Sequence, residues 1–529
     1  MSRPGTPQKN DSSLLMRTRK SHQDFRVLAA ESLARIDESV YTTDLSFQET
    51  HGLLSQVIEM GDVDDGYHNK LKEPQKWYKK VSMKYTIGLL CGLGLFIGLT
   101  KMVMNELEKT FLNKSHLYYN GTDYFDATVI YISLDGFRND YLDRKVTPNI
   151  HLLAEQGIRA EYMNPSFPSI TFPNHWTLVT GLYPEAHGIV ANEFYDPVLV
   201  EQFIHKNASI SGDPKWWGGE PIWITSKNQG KKSAVIMWPG SNVPIHGVSP
   251  DYYVPYTRET TAIDKMDITL GWLDLPIGQR PQSISIYIPQ IDQKGHGGGP
   301  EGKQLNSVLS AMDDAVGHLM DGLAQRNLEK HVHLVVVSDH GMAQSDRSRL
   351  IFYDKILSAE SQSFLREREA WPLLGLRPKD DAPDHAIDQI YNEIIQYMNQ
   401  LPEGDRHFQV YKREEMPARF HYDATERVAP VVMIPDVGYI IIRSTDYNTV
   451  TGKYGPNGVH GYDNMALEMR AIFAARGPGI DRYYLHGTVV DPFYNTEMYR
   501  FLTTLLELDP APNNSTLNGI FKVHEDRLP

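Results

Sequence analysis

Residues 127–134 read ATVIYISL and run straight into Asp135. The stretch is apolar, rich in β-branched side chains and free of polar alternation, which predicts a strand buried on both faces, as in a parallel sheet. Two further runs share this character, SISIYI at 283–288 and VHLVVVS at 332–338. Between them, Thr147-Pro148 offers an N-cap and a first-turn proline for a helix through Gln156. Residues 304–324 have the spacing of a long amphipathic helix. Strands alternating with helices predict an α/β fold, a central, mostly parallel sheet with helices on both faces. Ligands in such sheets bind beyond the carboxyl ends of the strands, so the residues just after each run are where chemistry is expected. The segment 345–430 shows no clear period, holds many charges and reads as an inserted surface region.

Composition narrows the function. The chain has 529 residues, 41% hydrophobic and 22% charged, an ordinary globular balance that excludes a wholly disordered chain and a polytopic membrane protein. A net charge of −14, from 52 basic and 66 acidic side chains, argues against nucleic acid as a stable partner. The single cysteine, Cys91, can neither close an internal disulfide nor build a thiolate metal cage.

One apolar run stands apart. YTIGLLCGLGLFIGLT at 85–100 has no charge between Lys84 and Lys101, and Met102 to Met104 extend it. It reads as a transmembrane signal anchor over 85–104. Lys70, Lys72, Lys76, Lys79, Lys80 and Lys84 precede it, against Lys101, Lys109 and Lys114 after it, so the N-terminus is expected on the cytosolic side. The remainder would then be lumenal or extracellular, at the cell surface or a vacuole-like membrane. Acceptor sequences for N-glycosylation at Asn113, Asn120, Asn207, Asn513 and Asn514 all follow the run, while Asn10 would face the cytosol. Residues 1–84 carry 13 basic and 12 acidic side chains, so the rest holds −15 of the total. Their polar composition reads as a disordered cytosolic tail. A stalk is expected over 105–126 and the catalytic domain over 127–529.

The chemistry-bearing residues gather where the fold predicts. Asp135 follows the first strand, Asp292 and His296 form a D-x-x-x-H pair after the second, and Asp339-His340 follows the third. His460 lies downstream in GVHGYDN. Singly, each has an ordinary reading as a turn, cap or packed side chain. Together they offer nitrogen and oxygen ligands without sulfur, a set suited to two borderline divalent ions such as zinc. Thr171, in PSFPSITFPNHWTLVTG, precedes a helical stretch to Thr180. It is either a simple N-cap or a nucleophile at a helix start, where backbone N–H groups favour an anion.

These stretches resemble the ectonucleotide pyrophosphatase/phosphodiesterase family, within the alkaline-phosphatase-like superfamily. The resemblance rests on ISLDGFRNDYL at 132–142, TPNIHLLAEQG at 147–157, PSFPSITFPNHWTLVTGLYPEAHGIVANEFYDP at 165–197, YIPQIDQKGHGGGP at 287–300, VVVSDHGM at 335–342, GVHGYDN at 458–464 and YNTEMYRFLTTLLELDPAPNNST at 494–516. It implies an alkaline-phosphatase-like fold and two zinc ions per subunit, one on Asp292, His296 and His460, the other on Asp135, Thr171, Asp339 and His340. It further implies Thr171 as the nucleophile that carries the phosphoryl group, Asn192 as the holder of a phosphoryl oxygen, and Phe172 and Tyr287 as rings packed around a nucleotide base. Ile291 stands where the family usually has proline, which should alter the turn and not the ligand. The short stretch after the catalytic region reads as a single-pass, fungal-type member without cysteine-rich or nuclease-like domains.

The activity so implied is hydrolysis of phosphodiester and pyrophosphate bonds in nucleotides, releasing nucleoside 5′-monophosphates. A lipid-type phosphodiesterase acting on phosphocholine esters is the nearest enzymatic rival, since aromatic rings also hold choline. A type I sulfatase is excluded by threonine at the nucleophile position. A catalytically silent membrane glycoprotein is disfavoured because all seven metal and nucleophile positions carry competent side chains.

Overall fold

The structure is a computed structural model that describes residues 117–447 and 456–516, together with 98, 100 and 101. The tail read for 1–84, most of the anchor read for 85–104, and Asn113 lie outside the described residues. Among the described residues no helix is long and apolar enough to cross a membrane.

Eight strands form the central sheet: β1 (Thr128–Leu134), β2 (Ile158–Ala160), β3 (Ser233–Ile236), β4 (Tyr252–Val254), β5 (Ser283–Ile288), β6 (Val332–Val337), β7 (Phe473–Arg476) and β8 (Thr488–Val490). Their spatial order is β8-β2-β7-β6-β1-β5-β3-β4. Every pairing is parallel except the two made by β7. The three strands read from sequence are neighbours at the centre, and all are buried along their length. A strand with no exposed position needs cover on both faces. One cover is α1 (Pro148–Glu155), α3 (Ala262–Leu273) and α5 (Lys303–Gln325), and another is α2 (Thr171–Thr180) with α7 (Glu497–Leu505).

Register places the site. Leu134 pairs with Ile288, and Ser133 with Val337, so the carboxyl ends of β1, β5 and β6 finish nearly level. Because β7 runs the other way, its entry lies at that same end, with Phe473 opposite Val337. The chain leading into β7, which carries His460, is thereby delivered to the ligands that follow the parallel strands.

The helix expected after Thr147-Pro148 forms, but Thr147 makes no side-chain cap. The buried carboxylate of Asp313, on α5, accepts from the backbone N–H of Asn149 and of Ile150 at 2.9 and 2.8 Å. The cap thus comes from another helix and ties α1 to α5.

The segment 345–430 is more than a surface insertion. It contains α6 (Ala386–Gln400) and, with residues that follow it, a three-stranded antiparallel sheet of Leu374–Leu376, Phe408–Lys412 and a central Val431–Pro435. Leu374, Ile390, Ile394, Val431, Met433 and Ile441 make a core separate from that of the main sheet. At the other end, residues 117–126, read as the end of a stalk, include a hairpin of Tyr118–Tyr119 and Tyr124–Phe125. Arg280 holds it by donating to Asp123 and to the Tyr124 carbonyl.

Candidate active site and metal centre

Asp135 is the first residue beyond β1, and its backbone carbonyl accepts from the N–H of Asp292 at 3.0 Å. The turn between them needs Gly136, whose φ is +70° and whose absent Cβ would lie 2.9 Å from Asp292. Asp292 and His296 sit one turn apart on α4 (Gln290–Gly298), one face of a single helix. Ile291, between them and the strand end, is buried. Asp339 and His340 follow β6. Gly458–Val459 pairs with Ala343–Gln344, which brings His460 back beside His340. The two imidazoles stack with centroids 3.6 Å apart.

The six ionisable residues expected as ligands therefore converge. Oxygen and nitrogen atoms of Asp292, His296 and His460 lie close enough to share an ion, and so do those of Asp135, Asp292 and His340. Asp292 Oδ1 is 3.3 Å from both His296 Nε2 and His460 Nε2. Asp339 Oδ2 is 3.0 Å from His340 Nε2, which stands 3.5 Å from Asp135 Oδ1. The division into two ligand sets is less sharp than the sequence implies, because Asp292 borders both.

Three features fit this cluster to cations. Asp135 Oδ1 and Asp292 Oδ1 are buried without a hydrogen-bond partner, a costly state for a carboxylate unless a cation or proton joins it. Each histidine directs Nδ1 at a backbone carbonyl: His296 at Gly458 (2.8 Å), His340 at Gly341 (2.8 Å) and His460 at Ser169 (2.9 Å). A proton on Nδ1 leaves the Nε2 lone pair for a metal. The donors are nitrogen and oxygen only, as zinc accepts.

The electrostatics agree. Burial, with the nearby carboxylates of Asp339 and Asp292, pushes the Asp135 carboxyl well above its ordinary range. Burial would also raise Asp292, but His296 and His460 outweigh it and hold the group down to about 2. Burial pushes His460 down to about 4. Three carboxylates crowd one site, and positive charge there would relieve their repulsion.

Thr171 is the first residue of α2 and is buried, with Oγ1 3.2 Å from His340 Nε2. It is not the N-cap, a position occupied by Ile170. The helix start offers fewer N–H groups to an anion than its sequence suggests. The N–H of Phe172 is taken by Asn192 Oδ1 at 3.1 Å, residue 173 is proline, and the N–H of Asn174 bonds to the Ile170 carbonyl. With Oδ1 so engaged, the amide nitrogen of Asn192 is the group left to face an anion. Phe172 is half-buried against Phe203, His205 and Trp217.

Tyr287 departs from its expected role. It is only 8% exposed, and its hydroxyl donates to Asp135 Oδ2 at 2.5 Å. A ring so enclosed presents no face to a base, and the reading of Tyr287 as a base-packing residue is corrected on that geometry. An exposed aromatic beside the ligand helix is instead Tyr256, whose hydroxyl lies 3.4 Å from Gln293 Nε2.

Two buried residues of the nucleophile motif escaped sequence reasoning. Asn174 donates to the carbonyls of Pro168 and Ile170 and accepts from the Ser166 N–H, which fixes the loop before Thr171. His175 sets Nδ1 2.9 Å from the Thr171 carbonyl and 3.1 Å from Asp339 Oδ2, with Nε2 2.9 Å from Ser133 Oγ. Their one signal was polarity on a helix whose positions are nearly all buried.

The insertion braces this region. Tyr422 donates to the Val190 carbonyl and sets its ring edge-on to Phe167. Arg427 pairs with Asp196 and donates to the Gly188 and Trp216 carbonyls. Pro372 lies against Gly461, whose φ of +114° and crowded Cβ position admit only glycine.

Comparison with known proteins accords with this geometry. The sequence pattern of the family described as type I phosphodiesterase / nucleotide pyrophosphatase matches residues 129–463. An uncharacterised pyrophosphatase/phosphodiesterase of Schizosaccharomyces pombe is 41% identical over 453 residues, covering 85% of this chain and 91% of that protein. Ectonucleotide pyrophosphatase/phosphodiesterase family member 3 of Bos taurus is 38% identical over 404 residues, 75% of this chain but only 44% of that protein. The chain thus spans less than half the length of this vertebrate relative. Among solved structures, an inactive variant of murine ectonucleotide pyrophosphatase/phosphodiesterase 5 in complex with AMP is similar, with a TM-score of 0.65, 33% identity, and coverage of 76% of this chain and 100% of that one. On the extent of these matches, the chain belongs to the type I phosphodiesterase / nucleotide pyrophosphatase family.

Proposed function

We propose that this chain hydrolyses phosphodiester and phosphoanhydride bonds in nucleotides and their derivatives and releases nucleoside 5′-monophosphates. The observation that carries the reading is the Thr171 hydroxyl, buried 3.2 Å from His340 Nε2 at the edge of a carboxylate–imidazole cluster in which one oxygen each of Asp135, Asp292 and Asp339 has no hydrogen-bond partner. We assign two zinc ions to that cluster, one on Asp292, His296 and His460, the other on Asp135, Asp339, His340 and Thr171. Bound there, they would stabilise the threonine alkoxide and the charge on the phosphoryl oxygens.

The protein groups then divide the work. Thr171 gives its hydroxyl proton to solvent as Oγ1 attacks phosphorus in line, the bond to the leaving group breaks with its electron pair going to that group, and the phosphoryl group is carried on threonine. Water attacks the phosphothreonine from the vacated side, the threonine oxygen leaves with the electron pair of its bond to phosphorus and takes up a proton, and the other proton released from water goes to solvent. The Asn192 amide donates to a phosphoryl oxygen through both steps. The ring of Phe172 supplies a face for the base, and such stacking is tolerant of base identity. A nucleoside monophosphate product is supported by the solved relative that holds AMP.

The same reading extends to location. The run at 85–104 would anchor the chain with its N-terminus in the cytosol, leaving the catalytic domain lumenal or extracellular. Among the described residues, Asn207 and Asn514 are the exposed acceptors that suit glycosylation, whereas Asn120 and Asn513 spend Nδ2 on the carbonyls of Arg326 and Ala511.

The test is a side-by-side assay of the purified full-length chain on the nitrophenyl ester of thymidine 5′-monophosphate and on nitrophenyl phosphocholine. Turnover of the nucleotide ester, abolished in Thr171→Ala, is the expected result. A preference for phosphocholine would move the enzyme to lipid substrates, and activity surviving in Thr171→Ala would remove the nucleophile.

A further inference from the structure

Tyr287 has a position that its correction above leaves without a purpose. It sits near the end of β5, next to β1, with its hydroxyl on one oxygen of Asp135 and the other oxygen of that carboxylate unpartnered. We propose that Tyr287 is a positioning residue for one half of the metal centre. Its phenol holds Asp135 Oδ2, so that Oδ1 is the oxygen presented to the cation shared with Asp339 and His340. The proposal rests on the two-cation reading above and extends it by making the two halves unequal in what supports them.

The ring is poorly placed to move. It meets His175 edge-on, with centroids 4.8 Å apart and planes at 87°. The Tyr287 carbonyl accepts from the buried Lys265 ammonium at 2.7 Å, which anchors the backbone from the opposite side. His175 in turn lies against Asp339 Oδ2, and Gly136 donates its N–H to Asp339 Oδ1 at 3.1 Å. Asp135 and Asp339 thus each accept from a buried donor, the Tyr287 hydroxyl and the Gly136 N–H. All three histidines are oriented by main-chain carbonyls, and what differs in the other half is exposure, since Asp292 and His296 are only partly buried. A carboxylate free to turn about its terminal bond must be stilled before it can ligate. A phenol bonded to one oxygen does this in advance. Outer partners of this kind are generally worth about 10- to 100-fold in metal affinity.

The test measures metal binding directly, on the full-length chain. Wild type, Tyr287→Phe and Tyr141→Phe are loaded with zinc and titrated with a chromophoric chelator. Tyr141 is the control because its hydroxyl is buried without a hydrogen-bond partner, and its ring packs on Phe137, Arg138 and Arg144. The expected result is that Tyr287→Phe gives up one of its two zinc equivalents about 10- to 100-fold more easily than wild type while the second is unchanged. Tyr141→Phe should match wild type. Near-ultraviolet circular dichroism of the metal-free proteins checks that the fold is intact. Tyr287→Met, also without a hydroxyl, repeats the measurement if the phenylalanine variant does not fold. Wild-type affinity for both equivalents in a folded variant would overturn the proposal and leave the two-cation reading standing. Equal weakening of both would also overturn it, since the effect would then be general. A wild-type chain that takes up no zinc would overturn the two-cation reading itself, and this proposal with it.

Discussion

Asn192 performs two tasks with one side chain, and they can be separated by substitution. Its carbonyl oxygen accepts from the Phe172 N–H at the start of α2, while its amide nitrogen is assigned to a phosphoryl oxygen. In Asn192→Ala both are lost. The missing acceptor leaves a helix-terminal N–H unpaired, which costs about 1 kcal/mol of stability. The missing donor removes stabilisation of transition-state charge, worth about 100- to 1,000-fold in kcat. Asn192→Asp keeps an acceptor for Phe172 and so should melt close to wild type. It removes the donor and sets a negative charge against the phosphate, so its kcat should fall at least as far as that of the alanine variant. Chemical denaturation and turnover of the thymidine 5′-monophosphate ester give the two readouts. An aspartate variant that kept wild-type turnover would refute the assignment of the amide to the phosphoryl oxygen. One that lost stability along with the alanine variant would refute the role of the carbonyl.

Other predictions address the rest of the molecule. Arg427→Ala strands the buried Asp196 carboxylate and the carbonyls of Gly188 and Trp216, and should destabilise the domain by about 3 kcal/mol in urea or guanidinium unfolding. Burial holds the Lys265 amine down to about 8, so the folded state favours its neutral form. Stability should therefore rise as pH climbs from about 8 towards the ordinary lysine range, and Lys265→Met should flatten that rise. Burial likewise holds His187 down to about 3 and His333 to about 4. Because unfolding lets both take up protons, melting temperature should fall steadily below the ordinary histidine range, and a level profile between pH 6 and 4 would contradict their neutral burial. Peptide mapping of the chain from a secretory host should find glycans at Asn207 and Asn514 and none at Asn120.

The centre of the fold and most of the metal cluster could be read from sequence for one physical reason. β1, β5 and β6 are buried on both faces, so their composition is unmistakable, and the ligands are tied to their ends. What escaped reading depended on contacts between residues distant in the chain. Nothing near Thr147 discloses that Asp313 caps its helix. The phenol of Tyr287 looks the same in sequence whether it meets a base or Asp135, because a strand buried on both faces gives no clue to what each side chain touches. The helix start at Thr171 was read too generously, since the competitor for its N–H, Asn192, arrives from outside the helix. The insertion is a different case. Ile387, Ile390, Tyr391, Ile394 and Met398 have helical spacing, and the abundant surrounding charge hid it.

The reversed direction of β7 bears on how this enzyme comes into being. His460 reaches the other ligands only on the stretch that leads into β7, after the whole of 345–430 has been made. A nascent chain that has produced Asp135, Asp292 and His340 still holds an incomplete cluster, with no His460 stacked on His340. The cluster is thus complete only once the stretch that carries His460 has been made and has docked beside His340.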